Sequence, residues 1–424
     1  MEQSVVTANG INVYTYKNPS QHGFYMSLFV KAGNIYETAD GCGMAHFLEH
    51  VSIRNINKIM NGELYALLDR KGIEFNAATY FEMMQFYMNA STDKFRDCSD
   101  VLSLLFSPII LDKAETDAER KRIKAEIREA DDRTSLLTFT NGIVHKGTSL
   151  SESITGTLSA VSKMSAGKLE RYRRKIFTKD NLFVYITGNF EDEDVAYLVS
   201  KLEGLDIGES EHVCDNIAPT SESHFARDGE VFVKNSDFTK IRFTFDLDMT
   251  RLGVPETDLI YDILLSGYNS DFFMEMSERR GLFYDVSGAV ERYKNIGELA
   301  FTYEVREKDL YEATALTVEA LVSLKKTLRS PDTLMKASYV DNAYMLYDDM
   351  RELNFTFAYD NHIMGLGYAS IEDRRAAYES VTPEDVRRTA EEIFKVTNLT
   401  VTVKGNKKRI DTERIKSIIK NLEK

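Results

Sequence analysis

The 424-residue chain is short of cysteine, proline and positive charge. Each shortage excludes a class. Cys42, Cys98 and Cys214 are odd in number and far apart, so neither a disulfide framework nor a cysteine-based zinc site can be assembled from them. Such usage fits a reducing compartment, and a cytoplasmic location is expected. Against 67 Asp+Glu stand only 53 Lys+Arg, a net charge of −14. Nucleic-acid binders usually carry the opposite footprint, so no nucleic-acid partner is expected. An acidic chain suits basic ligands better than acidic ones, although net charge speaks mainly to solubility. No apolar run approaches the roughly 18–20 residues that span a bilayer; FYMSLFV stops at Lys31. The opening MEQSVVTANGINVYTYKN has no basic segment followed by an apolar one, so neither a signal peptide nor a membrane partner is expected. Six prolines fit a chain of regular elements but identify no fold.

What is present is an ordinary globular composition, 43% hydrophobic and 28% charged, on a chain long enough for more than one core. At about 150 residues per domain the length suggests nearly three domains. An internal duplication reduces that to two. MSAGKLERYRRKIFTKDNLFVYITGNFEDED (164–194) and VTPEDVRRTAEEIFKVTNLTVTVKGNKKRID (381–411) both read as a polar-started helix, a turn and an alternating strand. Ile176-Phe177 matches Ile393-Phe394, Asn181-Leu182 matches Asn398-Leu399, and Gly188-Asn189 matches Gly405-Asn406, each 217 residues apart. A weaker pair, DRKGIEFNA (69–77) and ERRGLFYDV (278–286), places Gly281 209 residues after Gly72. Two homologous halves are expected, at 1–208 and 225–424, with a polar linker at 209–224.

In the first half INVYTYK and FYMSLFVKAG read as strands, and GMAHFLEHVSIRNINKIM and GELYALLDRKG as helices. The second helix carries Leu64, Leu67 and Leu68 on one face and stops at Gly72. NAATYFEMMQFYMNAST, rich in aromatics and free of Pro and Gly, reads as a strand; TDAERKRIKAEIREADD reads as a long charged helix. Hairpin-like strands mixed with helices, without regular alternation, predict an α+β fold: two homologous α/β domains, each a mainly antiparallel sheet packed by helices.

The chemistry is concentrated in GMAHFLEH (43–50). On a helix His46 and His50 lie one turn apart on one face, about 5–6 Å between Cβ atoms. Two imidazoles at that spacing can bind one tetrahedral zinc. Glu49 projects near the same edge and can reach water at the metal rather than the metal itself. This is the inverted zincin pattern H-x-x-E-H, with Glu as general base. With 7 His and 67 acidic residues, chance supplies such a pattern only about 0.02 times. The bland alternative is a pair of surface or core histidines beside an acid. A catalytic site also needs a third protein ligand and an open position. AERKRIKAEIREADD offers Glu119 and Glu126, seven residues apart and so on one helical face. A solvated, salt-bridged helix explains the same residues, and spacing does not choose among Glu119, Glu126 and Glu129.

These residues together resemble the pitrilysin/insulinase family of zinc peptidases, in the short two-domain branch of mitochondrial processing peptidase subunits and bacterial heterodimeric peptidases. GNIYETADGCGMAHFLEH (33–50) is similar to the family's glycine, acid and H-x-x-E-H run. GIEFNAATYFEMMQFY (72–87) is similar to its G-x-x-x-N-A-x-T strand, and AERKRIKAE (118–126) to its E-R-x-x-x-x-x-E helix. NLFVYITGN and NLTVTVKGN resemble the closing strands of the two halves. The resemblance implies LuxS/metallopeptidase-like domains around an enclosed chamber that admits small unfolded peptides. It implies one Zn2+ per chain held by His46, His50 and Glu126, with Glu119 supporting the ligands from behind and Glu49 as base. It also implies that Asn76 and Ala77 lie on an edge strand beside the zinc, where an extended peptide adds as a further strand. The plain alternative there is a buried strand, with Met83 and Phe86 serving as core.

One departure bears on assembly. The family's second domain carries an Arg and a Tyr, seven residues apart, that clamp the substrate backbone. MSERRGLFY (276–284) supplies Tyr284, but Ser277 stands at the Arg position. Arg279 and Arg280 are near, yet on a helix three residues are about 300° of rotation. Tyr284 reads equally as a packed aromatic. The expectation is a zinc metalloendopeptidase of small unfolded peptides, in peptide or leader processing. It would be the catalytic subunit of a heterodimer with a homologous partner chain, a homodimer being the second choice. The rival is a non-catalytic scaffold subunit that helps a partner bind or mature a peptide. Thiol chemistry at Cys42 is a third reading, although a free Cys usually serves as a small buried filler.

Overall fold

The computed structural model describes residues 1–38, 41–130, 135–205, 207–208, 214–283, 286–330 and 333–424. The chain sorts into two compact units, and each draws on both halves of the sequence. One comprises Met1–Asp132, Glu152–Asn216 and Tyr344–Ile371; the other comprises Arg133–Ser151, Ile217–Ala343 and Glu372–Lys424. The change of unit after Asn216 falls in the polar stretch expected to join the halves. Two segments depart from a contiguous division: residues 133–151 belong with the second unit and 344–371 with the first. Sequence could not show this, because an amphipathic helix carries no mark of which sheet it covers.

In the first unit β1 (Gln3–Val6), β2 (Asn12–Lys17), β3 (Gly23–Val30), β4 (Glu74–Thr79), β5 (Met84–Ser91) and β6 (Leu182–Gly188) form a sheet in the order β1-β2-β6-β3-β5-β4. Only the β2/β6 pair is parallel. β3 is buried along its whole length, and alternation sends Phe24, Met26, Leu28 and Val30 to one face and Tyr25, Ser27 and Phe29 to the other. The first set joins a core with helices α1 (Met44–Ile59), α2 (Leu64–Lys71), α3 (Phe95–Ser103) and α4 (Lys113–Glu129). The reverse face is covered by helix Met350–Phe357. Ser27 Oγ donates to Asn354 Oδ1 at 2.8 Å, and Asn354 Nδ2 donates to Tyr185 O at 2.9 Å. Both ends of that buried amide are paired, which avoids the desolvation cost of an orphaned group.

The aromatic run that reads as one strand is a hairpin. β4 and β5 turn over Tyr80–Met83, where Tyr80 N donates to Met83 O at 2.8 Å. No Gly or Pro announces the turn, because it is held from outside. Ile35 N donates to Phe81 O at 3.0 Å, and a Cβ on Gly33 (φ +154°) would stand 2.4 Å from that oxygen. The hairpin leaves β4 at the edge of the sheet.

The second unit repeats the plan. β7 (Glu230–Asn235), β8 (Lys240–Asp248), β9 (Val286–Arg292), β10 (Ile296–Glu304) and β11 (Leu399–Gly405) are ordered β7-β11-β8-β10-β9, which matches β2-β6-β3-β5-β4 place by place. β8 begins 217 residues after β3, and β11 217 after β6; β9 and β10 each begin 212 after β4 and β5. The expected α+β duplication is therefore a duplication of sheets. Helix α5 (Leu136–Val144) lies on the reverse face here, with Thr140 Oγ1 2.6 Å from Thr402 Oγ1. His145, which caps α5, places Nε2 2.7 Å from Glu298 Oε1 on β10. Each sheet is thus backed by a helix from the opposite half of the sequence. Among the described residues no helix is long and apolar enough to cross a membrane.

Candidate metal centre

Helix α1 begins where a loop supplies what its first turn lacks. The first N–H groups of a helix have no partner within it. The Glu37 carboxylate accepts from Gly43 N and Ala45 N, at 2.7 Å each. Burial pushes Glu37 up to about 7 against the pull of these N–H groups. Gly43 is left-handed (φ +84°), and a Cβ there would stand 2.7 Å from both Gly156 Cα and Thr155 O, so only glycine fits. Ala45, Phe47, Leu48, Val51 and Ile56 then face the core. Each large one adds about 1.5–3 kcal/mol of burial energy. The opposite edge carries His46, His50, Arg54 and Lys58, at steps of four.

Helix α4 runs antiparallel along that edge. Asp112 and Glu115 form a capping box that fixes its start. Its carboxylates then meet α1 in reverse order: Glu115 pairs with Lys58, Glu119 with Arg54 and His50, and Glu126 with His50 and His46. His46 Nε2 lies 3.7 Å from Glu126 Oε1, and His50 Nε2 lies 3.7 Å from Glu126 Oε2. One donor atom from each of the three residues falls within 4.8 Å of the others. Donors at about 2.0–2.2 Å around a tetrahedral zinc stand about 3.3–3.6 Å apart, so this all N/O set needs little contraction to hold one. Burial, together with the charge of His50, lowers His46 to about 4 and keeps its imidazole in the neutral, ligating form at neutral pH. His46 Nδ1 is buried with no hydrogen-bond partner among the described residues.

The remaining site residues are placed as follows. Glu119 Oε2 is 3.5 Å from His50 Nδ1, and Arg54 Nη1 donates to Glu119 Oε1 at 2.6 Å. Burial raises Glu119, but hydrogen bonds from His50 and Arg54 and the charge of Arg122 outweigh it, and its carboxyl titrates below the usual range. Glu49 stands outside the three-residue cluster and meets the sheet, where Thr79 Oγ1 donates to its Oε2 at 2.5 Å. Burial holds Glu49 above the usual carboxylate range; the Glu126 charge adds to this, while Thr79 and His50 oppose it. Asn76 and Ala77 lie on β4, the edge strand, and Asn76 Oδ1 accepts from Ala77 N at 2.9 Å. Glu129 is exposed at the end of α4 and stands outside the cluster. Cys42 is buried, and burial raises its thiol to about 12, so it is the inert filler rather than a nucleophile.

In the second unit Ser277 lines a cavity of about 1010 Å³ with Phe238, Leu282 and Phe283. Arg279 and Arg280 both pair with Glu275, at 2.8 and 3.0 Å, which occupies the two cations nearest the missing Arg. Tyr284 lies outside the described residues. Arg54 escapes the sequence reading, while Thr79 and Glu37 enter it only as letters of the 72–87 and 33–50 runs, without the roles the structure gives them. Arg54 left a signal, since it continues the His46–His50 stripe by four.

The chain is similar to several known proteins. Residues 12–158 match the model described as Insulinase (Peptidase family M16), and residues 163–334 match the Peptidase M16 inactive domain. The chain belongs to the insulinase peptidase family. An uncharacterized zinc protease of Rickettsia bellii is 23% identical over 410 residues, covering 91% of this chain and 93% of that one. The mitochondrial-processing peptidase subunit beta of Blastocladiella emersonii is 24% identical over 192 residues, covering 45% and 41%. A protease of Helicobacter pylori shares the fold, with a TM-score of 0.83 at 17% identity over 96% of this chain and 99% of that one. Within this insulinase-family chain, the histidine–glutamate cluster and its capped helix fall in the segment that matches the first model.

Proposed function

We propose that the chain is a zinc-dependent endopeptidase of small unfolded peptides. The convergence of His46, His50 and Glu126, with Glu49 held aside by Thr79, carries this reading. Zinc held by those three residues supplies Lewis acidity, polarising a carbonyl and making water nucleophilic near neutral pH. Glu49, which is not a ligand, takes the proton of the attacking water and delivers it to the leaving amine. A carboxyl held above its usual range by burial suits both transfers. Glu119, anchored by Arg54, fixes the His50 ring through Nδ1. The peptide adds to β4 along Asn76 and Ala77. Antiparallel alternation from the Tyr80–Met83 bond leaves the backbone groups of Ala77 and Thr79 on the open edge, and the Asn76 side chain gives way to an incoming carbonyl.

Tyr284 takes part of the peptide backbone on the family pattern, and Ser277 leaves that clamp incomplete. We therefore assign the chain to the catalytic role beside a homologous partner chain that brings the Arg. A relative named as a subunit supports this. Metal analysis and peptide turnover test the reading. About one zinc per chain, and hydrolysis that is lost on chelation and in Glu49→Gln with zinc retained, are expected. Parent-rate hydrolysis by Glu49→Gln removes the base. Absence of zinc with no effect of chelator favours the scaffold role, and robust turnover by the chain alone removes the need for a partner.

A further inference from the structure

We propose that Thr79 is the positioning residue for the base, so that the strand receiving the peptide also aims Glu49; this rests on the peptidase reading above. Thr79 Oγ1 donates to Glu49 Oε2 at 2.5 Å. Alternation along β4 puts Thr79 on the same face as Phe75 and Ala77, which pack on the core that α1 shares. One hydroxyl therefore pins one carboxylate oxygen and fixes rotation about the last bond of Glu49, leaving the second oxygen to carry the proton.

The separation of the two residues is set by backbone. Segment 33–37 braces both elements at once. Ile35 N and the bare Gly33 seat the Phe81 carbonyl of the β4–β5 turn, while Glu37 holds Gly43 N and Ala45 N at the start of α1. The start of the helix that carries the base and the turn that ends the peptide-receiving strand are thus referenced to the same five residues. The backbone of Thr79 lies on the open edge of β4, so a peptide pairing there and the base are registered against one residue.

Thr79→Val keeps the shape and removes the donor, whereas Thr79→Ser keeps the donor. Thr79→Val is expected to lower kcat about 10–100-fold with KM within about twofold, as a modest misplacement of a reacting group does. Thr79→Ser stays within about threefold of the parent, and zinc content is unchanged in both. By calorimetry, a peptide binds E49Q and E49Q/T79V with the same affinity within about twofold. Equal losses in the Ser and Val variants, a KM that rises as kcat falls, or weaker binding by the double variant overturns the proposal. Parent-level turnover by Thr79→Val overturns it while leaving the base reading intact; parent-level turnover by E49Q overturns both.

Discussion

The two units set a helix at the same point between equivalent strands and surround it differently. Helix α1 lies between β3 and β4, and helix Val254–Leu265 lies between β8 and β9. Each places polar groups one turn apart, His46 and His50 on the first, Asp258 and Asp262 on the second. Around α1, Glu126 stands 3.7 Å from each imidazole. Around the second helix the gap is shut. Arg292 pairs with Asp258 and donates from Nε to Thr257 Oγ1 at 3.1 Å. Tyr378 OH donates to Asp258 Oδ2 at 2.6 Å, and Tyr261 OH donates to Gly288 O on β9 at 3.0 Å. A cluster of acceptors binds a cation only if none is built in, and Arg292 is a built-in cation. The fold supplies a helix against an edge hairpin; the facing side chains decide between a site and a seal. The model matched over 163–334 is described as an inactive domain, which fits the sealed helix.

Substitutions can break this contrast. The largest effect is expected from His50→Ala, which loses zinc and at least about 1,000-fold in turnover, whereas Asp262→Ala leaves zinc content and rate unchanged; metal analysis and peptide kinetics read both. Glu119→Gln should weaken zinc affinity about 10–100-fold, measured by competition with a chelator, because the His50 ring loses its anchor. Asp258→Asn should cost about 1–3 kcal/mol of stability by thermal unfolding with zinc content intact, since the amide offers one uncharged acceptor oxygen where the carboxylate offers one each to Arg292 and Tyr378.

The smallest effect separates the units by pH. Burial opposes the charge of His145, but the charge and hydrogen bond of Glu298, helped by Asp246, raise His145 above 6.5; burial raises Glu298, but His145, together with Arg242 and Arg227, holds it below 4.5. The His145 contribution is complete below its ordinary value and is lost as pH rises through the raised one. The Glu298 contribution is complete above its ordinary value and is lost as pH falls through the lowered one. The advantage of the parent over H145Q/E298Q in thermal unfolding should therefore peak between pH 4.5 and 6.5 and shrink on either side. A difference that stays flat from well below pH 4.5 to well above pH 6.5 removes the pair as a source of stability.

Much of the site is legible in the sequence because helix periodicity alone aligns His46 with His50 and Glu119 with Glu126. Choosing Glu126 over Glu129 needs the antiparallel seating of α4 on α1, which no local spacing encodes. The β6 and β11 repeat is legible for the same local reason, a helix, a turn and an alternating strand. The hairpin is not, because its turn is stabilised by Gly33 and Ile35 from some 45 residues earlier. Thr79 is legible as the last letter of the N-A-x-T run, but its bond to Glu49 is not, because a hydroxyl at the end of a strand has many ordinary uses. The exchanged helices escape because nothing in Met350–Phe357 says that its amide belongs beneath Tyr185.

That exchange has a consequence during synthesis. When a ribosome has delivered Gly188, all six strands of the first sheet exist, yet the helix that shields Phe29 and Tyr185 begins only at Met350. At about 5–20 residues per second the gap lasts roughly 8–30 s. For that interval the nascent chain carries a bare aromatic surface, so chaperone capture, rather than autonomous folding of the amino-terminal half, is the expected route to the native state.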